Sequence, residues 1–170
     1  MNNFKKCALT AALLMGMGVS AGAMAANATV VWSGIVPTSN ASDTLVITGF
    51  AGDMSALTGT ISADSDGVFT SDSIVLEAHV NDSDDADAPT VGVLTLANWT
   101  LTDATVSYDG IANPAQVVTV EINGAPATVG EDIASVDTIS TKVSQTAVLP
   151  ASEVGGASVQ ASLSVLASII

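Results

Sequence analysis

From residue 26 onward, apolar and polar positions alternate with a period of two almost throughout, and no stretch holds a 3.6-residue period over three turns. Such alternation sends successive side chains to opposite faces of an extended chain, as in a strand with one face on a core. It predicts strands over residues 44–50, 57–63, 73–80, 91–102, 104–108, 116–123, 127–129, 138–149 and 157–170. These runs are rich in Val, Ile, Thr and Leu and are separated by Gly, Pro, Asn, Asp and Ser, a strand-and-turn composition. Asn123-Gly124 between two apolar stretches predicts a tight hairpin, because a type I′ turn needs positive φ at both central residues. Many short strands with frequent turns and no long internal repeat point to an all-β chain, an immunoglobulin-like β-sandwich rather than a solenoid.

The two terminal stretches alternate most strictly. Toward the carboxyl end Val159, Ala161, Leu163, Val165, Ala167 and Ile169 fall on one face, with serines and Gln160 on the other, and the pattern runs to the last residue. Near the amino end Ala28, Val30, Trp32, Gly34 and Val36 share a face, and Pro37 closes the run. The opposite register would turn Thr29, Val31, Ser33 and Ile35 inward and lose the tryptophan, so the Trp32 face is the expected apolar one. Sandwich domains usually protect an edge strand with charge or proline. Neither terminal stretch carries a charged side chain, and both read as strands built to pair.

Composition narrows the chemistry. The 170-residue chain has 17 acids against 3 lysines and arginines, and beyond residue 25 its one cation is Lys142. That remainder has a formal charge of −16, which repels phosphate and makes nucleic acid and anionic membranes poor partners. One histidine, His79, and one cysteine, Cys7, leave few parts for acid–base, nucleophilic or soft-metal chemistry. The expectation is a non-enzyme with no catalytic residues, no metal site and no cofactor.

Residues 1–25 have the three parts of an export signal: a positive start with Lys5 and Lys6, an apolar run over residues 7–19, and the small-x-small site Ala23-Met24-Ala25. The run is too short to span a bilayer, and Cys7 precedes the cleavage site, which argues against lipoprotein acylation. The exported remainder has no cysteine, so it must fold without disulfides in an oxidising compartment.

His79 alternates away from Ile74, Leu76, Ala78 and Val80 and reads as a solvated strand residue. The run Asn81-Asp82-Ser83-Asp84-Asp85-Ala86-Asp87 supplies hard oxygens that calcium would accept. It lacks the turn glycine and the twelfth-position glutamate of an EF-hand, and Asp64-Ser65-Asp66-Gly67 is similarly incomplete. Both read as solvated turns.

With these features in place, the chain resembles a subunit of a chaperone–usher fimbria. Members of that family have a glycine fourteen residues before the carboxyl terminus followed by an alternating apolar strand, and Gly156 has fourteen residues after it. They also begin with an alternating apolar extension, frequently with glycine at its fourth place, as in Ala28, Val30, Trp32, Gly34 and Val36. The stretches ATVVWSG and DTLVITG are similar to the opening of major subunits of the common pilus lineage. Ile169 stands where the family often has tyrosine, and the disulfide of type 1 and P pilins is missing, which sets the chain apart from those branches. The resemblance implies a signal peptide over 1–25, a donor strand over 26–37, and a sandwich over 38–170 that lacks its last strand. It further implies that Gly156 and the Val159, Ala161, Leu163, Val165, Ala167 and Ile169 face border an acceptor groove, filled first by a periplasmic chaperone and then by the next subunit's donor strand. The implied partners are other copies of the chain joined head to tail, that chaperone and an outer-membrane usher. The implied destination is a cell-surface fimbrium serving adhesion or biofilm formation. From the residues alone, a monomeric secreted sandwich binding calcium or carbohydrate through its acidic loops is the alternative.

Overall fold

The computed structural model describes residues 41–55 and 57–170. Over these the chain forms two antiparallel sheets packed together, a β-sandwich. In chain order the strands are β1 (Leu45–Thr48), β2 (Phe69–Thr70), β3 (Ile74–Asn81), β4 (Val91–Leu94) and β5 (Ala97–Tyr108). They continue as β6 (Val118–Ile122), β7 (Ala125–Ala127), β8 (Asp132–Val136), β9 (Thr138–Gln145) and β10 (Val159–Ile169). A 3-10 turn, Phe50–Gly52, follows β1, and a one-turn helix, Ala151–Val154, precedes β10. The larger sheet runs β1-β3-β9-β6-β7, with β2 beside β9 and β4 beside β3; the smaller runs β10-β5-β8.

The two sheets meet over their apolar faces. Leu76 and Ala78 of β3, Val120 and Ile122 of β6 and Ile139 of β9 pack against Ala97, Trp99 and Leu101 of β5. A second cluster at the other end joins Phe69, Val106, Tyr108, Val143, Leu149 and Val154. Trp99 is fully buried, and its Nε1–H donates to Val136 O at 2.9 Å, which satisfies the indole's one polar atom and ties β5 to β8. Gln145 is also fully buried. Its Oε1 accepts from the Val117 and Ala147 amides, and its Nε2 donates to Ala147 O and Gly67 O, where the Tyr108 hydroxyl also donates at 2.6 Å. A polar side chain can occupy this depth because every donor and acceptor has a partner.

Several sequence expectations change in the folded chain. Residues 57–63 join no ladder; Leu57 and Ile61 still pack on the two core clusters, so the alternation there reflects side-chain anchoring without strand pairing. The predicted strand 91–102 is divided between sheets, with β4 beside β3 and β5 in the other layer. Strand β8 lies where no strand was expected, across β5, its Asp132 accepting from Thr100 Oγ1 at 2.5 Å. The hairpin at Asn123-Gly124 forms as expected between β6 and β7, with φ of 53° and 77°. The amino-terminal stretch with Ala28, Val30, Trp32, Gly34 and Val36, and the export signal before it, lie outside the described residues.

Candidate functional site

Three of the outer strands differ sharply in how they meet solvent. β7, at one end of the larger sheet, carries Pro126. β8, at one end of the smaller sheet, carries Asp132, and its Ser135 sits at φ 57°, which breaks the flat edge. β10, at the opposite end of that sheet, has eleven residues with no charge and no proline. Its one strand neighbour among the described residues is β5.

The β10–β5 ladder runs the full length of β10, from Val159 opposite Tyr108 to Ile169 opposite Ala97. Its single irregularity lies between Ser164 and Val165, where Thr102 is the extra residue of β5 and its hydroxyl donates to Ser164 O at 3.0 Å. The register sets Ala161 opposite Val106, Val165 opposite Leu101 and Ala167 opposite Trp99, so the apolar face of β10 turns toward the core, as its alternation predicts. The core does not close over it. Val159, Ala161, Leu163, Val165 and Ala167 are only half-buried and Ile169 is 48% exposed, whereas five of their six opposite numbers, Tyr108, Val106, Leu101, Trp99 and Ala97, are buried and the sixth, Ala104 opposite Leu163, is half-buried. The contacts of Leu163, Val165 and Ala167 with the main core cluster reach only its margin.

The corner before β10 is built for a sharp entry. Val154 is buried and anchors the short helix, whose end is set by Gly155, where any Cβ would collide with Ala151 O. Gly156 then takes φ +81°, a conformation that side chains with a Cβ rarely adopt. Tyr108, Val154, Gly156 and Val159 border an open depression at this end of the strand.

A second cluster sits on the outward face of β3 and corrects the expectation of a solvated histidine. His79 is 7% exposed and Glu77 is 6% exposed; the 3-10 turn after β1 reaches Glu77, and β4 pairs beside β3 at His79. His79 Nε2 lies 3.2 Å from Glu77 Oε2, and its Nδ1 lies 2.9 Å from Gly92 O. Glu77 Oε2 also accepts from the Gly52 amide at 3.0 Å. Burial pushes the Glu77 carboxyl up, but the backbone N–H of Ala51, the His79 ring and the Gly52 N–H together hold it below the ordinary carboxylate range. Reading β3 alone gave no reason to bury this pair; the signal was two opposite titratable groups at i and i+2 in an otherwise apolar strand.

The acidic run after β3 is an exposed loop, with Asp82, Asp84, Asp85 and Asp87 all facing solvent. Its organiser is Asn81, 1% exposed. Asn81 Oδ1 accepts from Ser83 N, Ser83 Oγ and Thr90 N, and Nδ2 donates to Ser42 O and Asp85 O. Among the described residues no group of three or more His, Cys, Asp or Glu side chains converges as a metal site. The Asp64 carboxylate is turned onto its own loop, accepting from the Asp66 and Val68 amides.

Two antiparallel sheets packed face to face thus define the class of fold, and the uncharged strand β10, paired among the described residues with β5, is its most distinctive edge. No protein-family model and no curated protein matches the chain.

Proposed function

We propose that this chain is a structural subunit of a bacterial surface fimbria, exported through the periplasm and polymerised by donor-strand complementation. The observation that carries the reading is β10: eleven uncharged residues at a sheet end, with an apolar face that the fold leaves half-uncovered beside a buried β5. An exposed, uncharged edge of this length invites association unless a dedicated strand covers it. On this reading the sandwich is an immunoglobulin-like one that lacks a strand, and residues 26–37 of the neighbouring copy supply it.

The donor face would be Ala28, Val30, Trp32, Gly34 and Val36, laid along Val159, Ala161, Leu163, Val165, Ala167 and Ile169. Main-chain ladder bonds then provide affinity and alternate side chains provide specificity. Burying Val30, Trp32 and Val36 contributes about 1.5–3 kcal/mol each before ordering costs. A periplasmic chaperone covers the edge until an outer-membrane usher hands the subunit to the growing fibre, and the fibre serves adhesion or biofilm formation. On this reading the Gly155-Gly156 corner leads the chain into the acceptor strand.

The test is a gel of surface-sheared material run with and without boiling. A ladder of bands spaced by one subunit, collapsing to a single band on boiling, is the expected result. A single band in both lanes from the exported protein would overturn the reading.

A further inference from the structure

Five of the twelve large apolar side chains exposed among the described residues lie on two short segments, the turn after β1 and β4 with its exit. The other seven are single loop residues or belong to β10 and the carboxyl end. Phe50 and Val93 are each 73% exposed, and Met54, Leu94 and Leu96 are about half exposed. A lone exposed apolar residue is ordinary, whereas a contiguous group of them marks a contact surface.

The fold sets the two segments side by side on the outward side of β3. Glu77 Oε2 lies 3.0 Å from the Gly52 amide and 3.2 Å from His79 Nε2, and His79 Nδ1 lies 2.9 Å from Gly92 O. A Cβ on Gly52 would meet Val91 Cγ1 at 3.5 Å, so the turn rests against β4. Leu94 stands opposite His79 in the β3–β4 ladder. Each segment is held by several bonds. Gly49 N donates to Asp53 O across the turn, and β4 is tied by its ladder and by Thr95 N to Ala78 O. The surface is therefore formed in advance, and a partner binding there orders little that is not already ordered.

Charge decides what fits. Asp53 closes the turn, and Asp82, Asp84, Asp85 and Asp87 lie in the loop that leads into β4, with Asp82 beside Gly92. All five are exposed. Lys142, the one cation beyond residue 25, lies four residues along β9 from Thr138, the residue opposite Glu77. A second copy would bring the same acids and no cation to answer them, and nucleic acid or an anionic membrane is repelled as well. A surface that sets arginine and lysine among apolar side chains would bury the apolar group and neutralise its acidic rim. Arginine and aromatic side chains are enriched at protein interfaces.

We propose that the Phe50–Gly52 turn and β4 form a docking surface for a basic protein partner, one that presents apolar side chains between lysines and arginines. Phe50 and Val93 are its anchors, and the five aspartates steer the partner and fix its orientation. β10 belongs to the other sheet, and the inference stands apart from the assembly reading.

The probe is a short peptide of alternating lysine and leucine, titrated into the exported chain at about 0.15 M salt, where exposed charges are screened beyond roughly 8 Å. Two controls replace its leucines by serine or its lysines by glutamate. The lysine–leucine peptide should bind saturably and slow hydrogen exchange over residues 49–54 and 91–96, with both controls at least tenfold weaker. The double variant Phe50→Ser, Val93→Ser should weaken binding roughly tenfold or more, as loss of interface anchors does. Replacing Asp53, Asp82, Asp84, Asp85 and Asp87 together by Asn should weaken it similarly. These are exposed positions, so melting temperatures should stay close to the parent's. Equal binding of either control, undiminished binding by both variants, or protection confined to β10 overturns the proposal. So does protection of the same two peptides that rises with chain concentration when no probe is present, which would give the surface to a second copy.

Discussion

Val165 lies directly opposite Leu101 across the β10–β5 ladder, yet Leu101 is 1% exposed while Val165 is only half-buried. Two neighbours on one sheet face, both apolar, differ in exposure: among the described residues β5 has strands on both sides and β10 has one. On the proposed reading the inward face of β10 is where a donor strand packs, and a charge placed there would have to be buried.

Placing a carboxylate there should separate folding from assembly. Leu163→Asp and Val165→Asp should abolish the heat-labile ladder, since a donor strand would have to bury an unpaired charge. Ser164→Asp, on the solvent-facing side, should leave the ladder intact. An unboiled gel of the three variants reads the difference, and equal ladders from all three would count against β10 as the acceptor.

Deleting residues 26–36 should give a chain that receives a partner's strand and donates none, so polymers stop growing. Appending residues 27–37 after Ile170 through a flexible linker should instead yield a soluble monomer. Size-exclusion chromatography distinguishes these outcomes. A stable, cooperatively unfolding monomer from the unfused exported chain would show that the sandwich is already complete.

The loop after β3 depends on one buried amide. Asn81→Ala removes the acceptor for Ser83 N and Thr90 N and the donor to Ser42 O and Asp85 O, and it should cost about 1–3 kcal/mol. Urea unfolding of the self-complemented monomer measures it. Substituting Asp82, Asp84, Asp85 and Asp87 by Asn should change stability by less than about 0.5 kcal/mol, because all four are exposed. Added calcium should leave the parent's melting temperature unchanged; a rise of several degrees that the fourfold variant lacks would restore the calcium-loop alternative.

Glu77 governs the acid side. Its folded value lies below the ordinary carboxylate range, so its contribution is present above that range and disappears as pH falls through the lowered value. Between about pH 5 and pH 3 the parent should lose stability more steeply than Glu77→Gln, which has no proton to take up there. Melting temperatures of both proteins across that interval provide the check, with parallel curves as the contrary outcome.

Most of the strands, the Asn123-Gly124 hairpin and the inward face of β10 were legible in the residues, because a period of two and a positive-φ turn are local properties of the chain. The absence of charge from β10 was legible for the same reason, since it needs no partner to be seen. Tertiary structure decided what pairs with what. It divided residues 91–102 between the two sheets and left 57–63 outside any ladder. It also recruited the acid-flanked β8 as the second neighbour of β5, since ladder pairing depends on distant segments arriving in register. It likewise buried Glu77 and His79 on a face that alternation assigns to solvent. Alternation within a strand cannot show that a turn from elsewhere in the chain reaches its outward side, and here the turn after β1 rests on Glu77 itself.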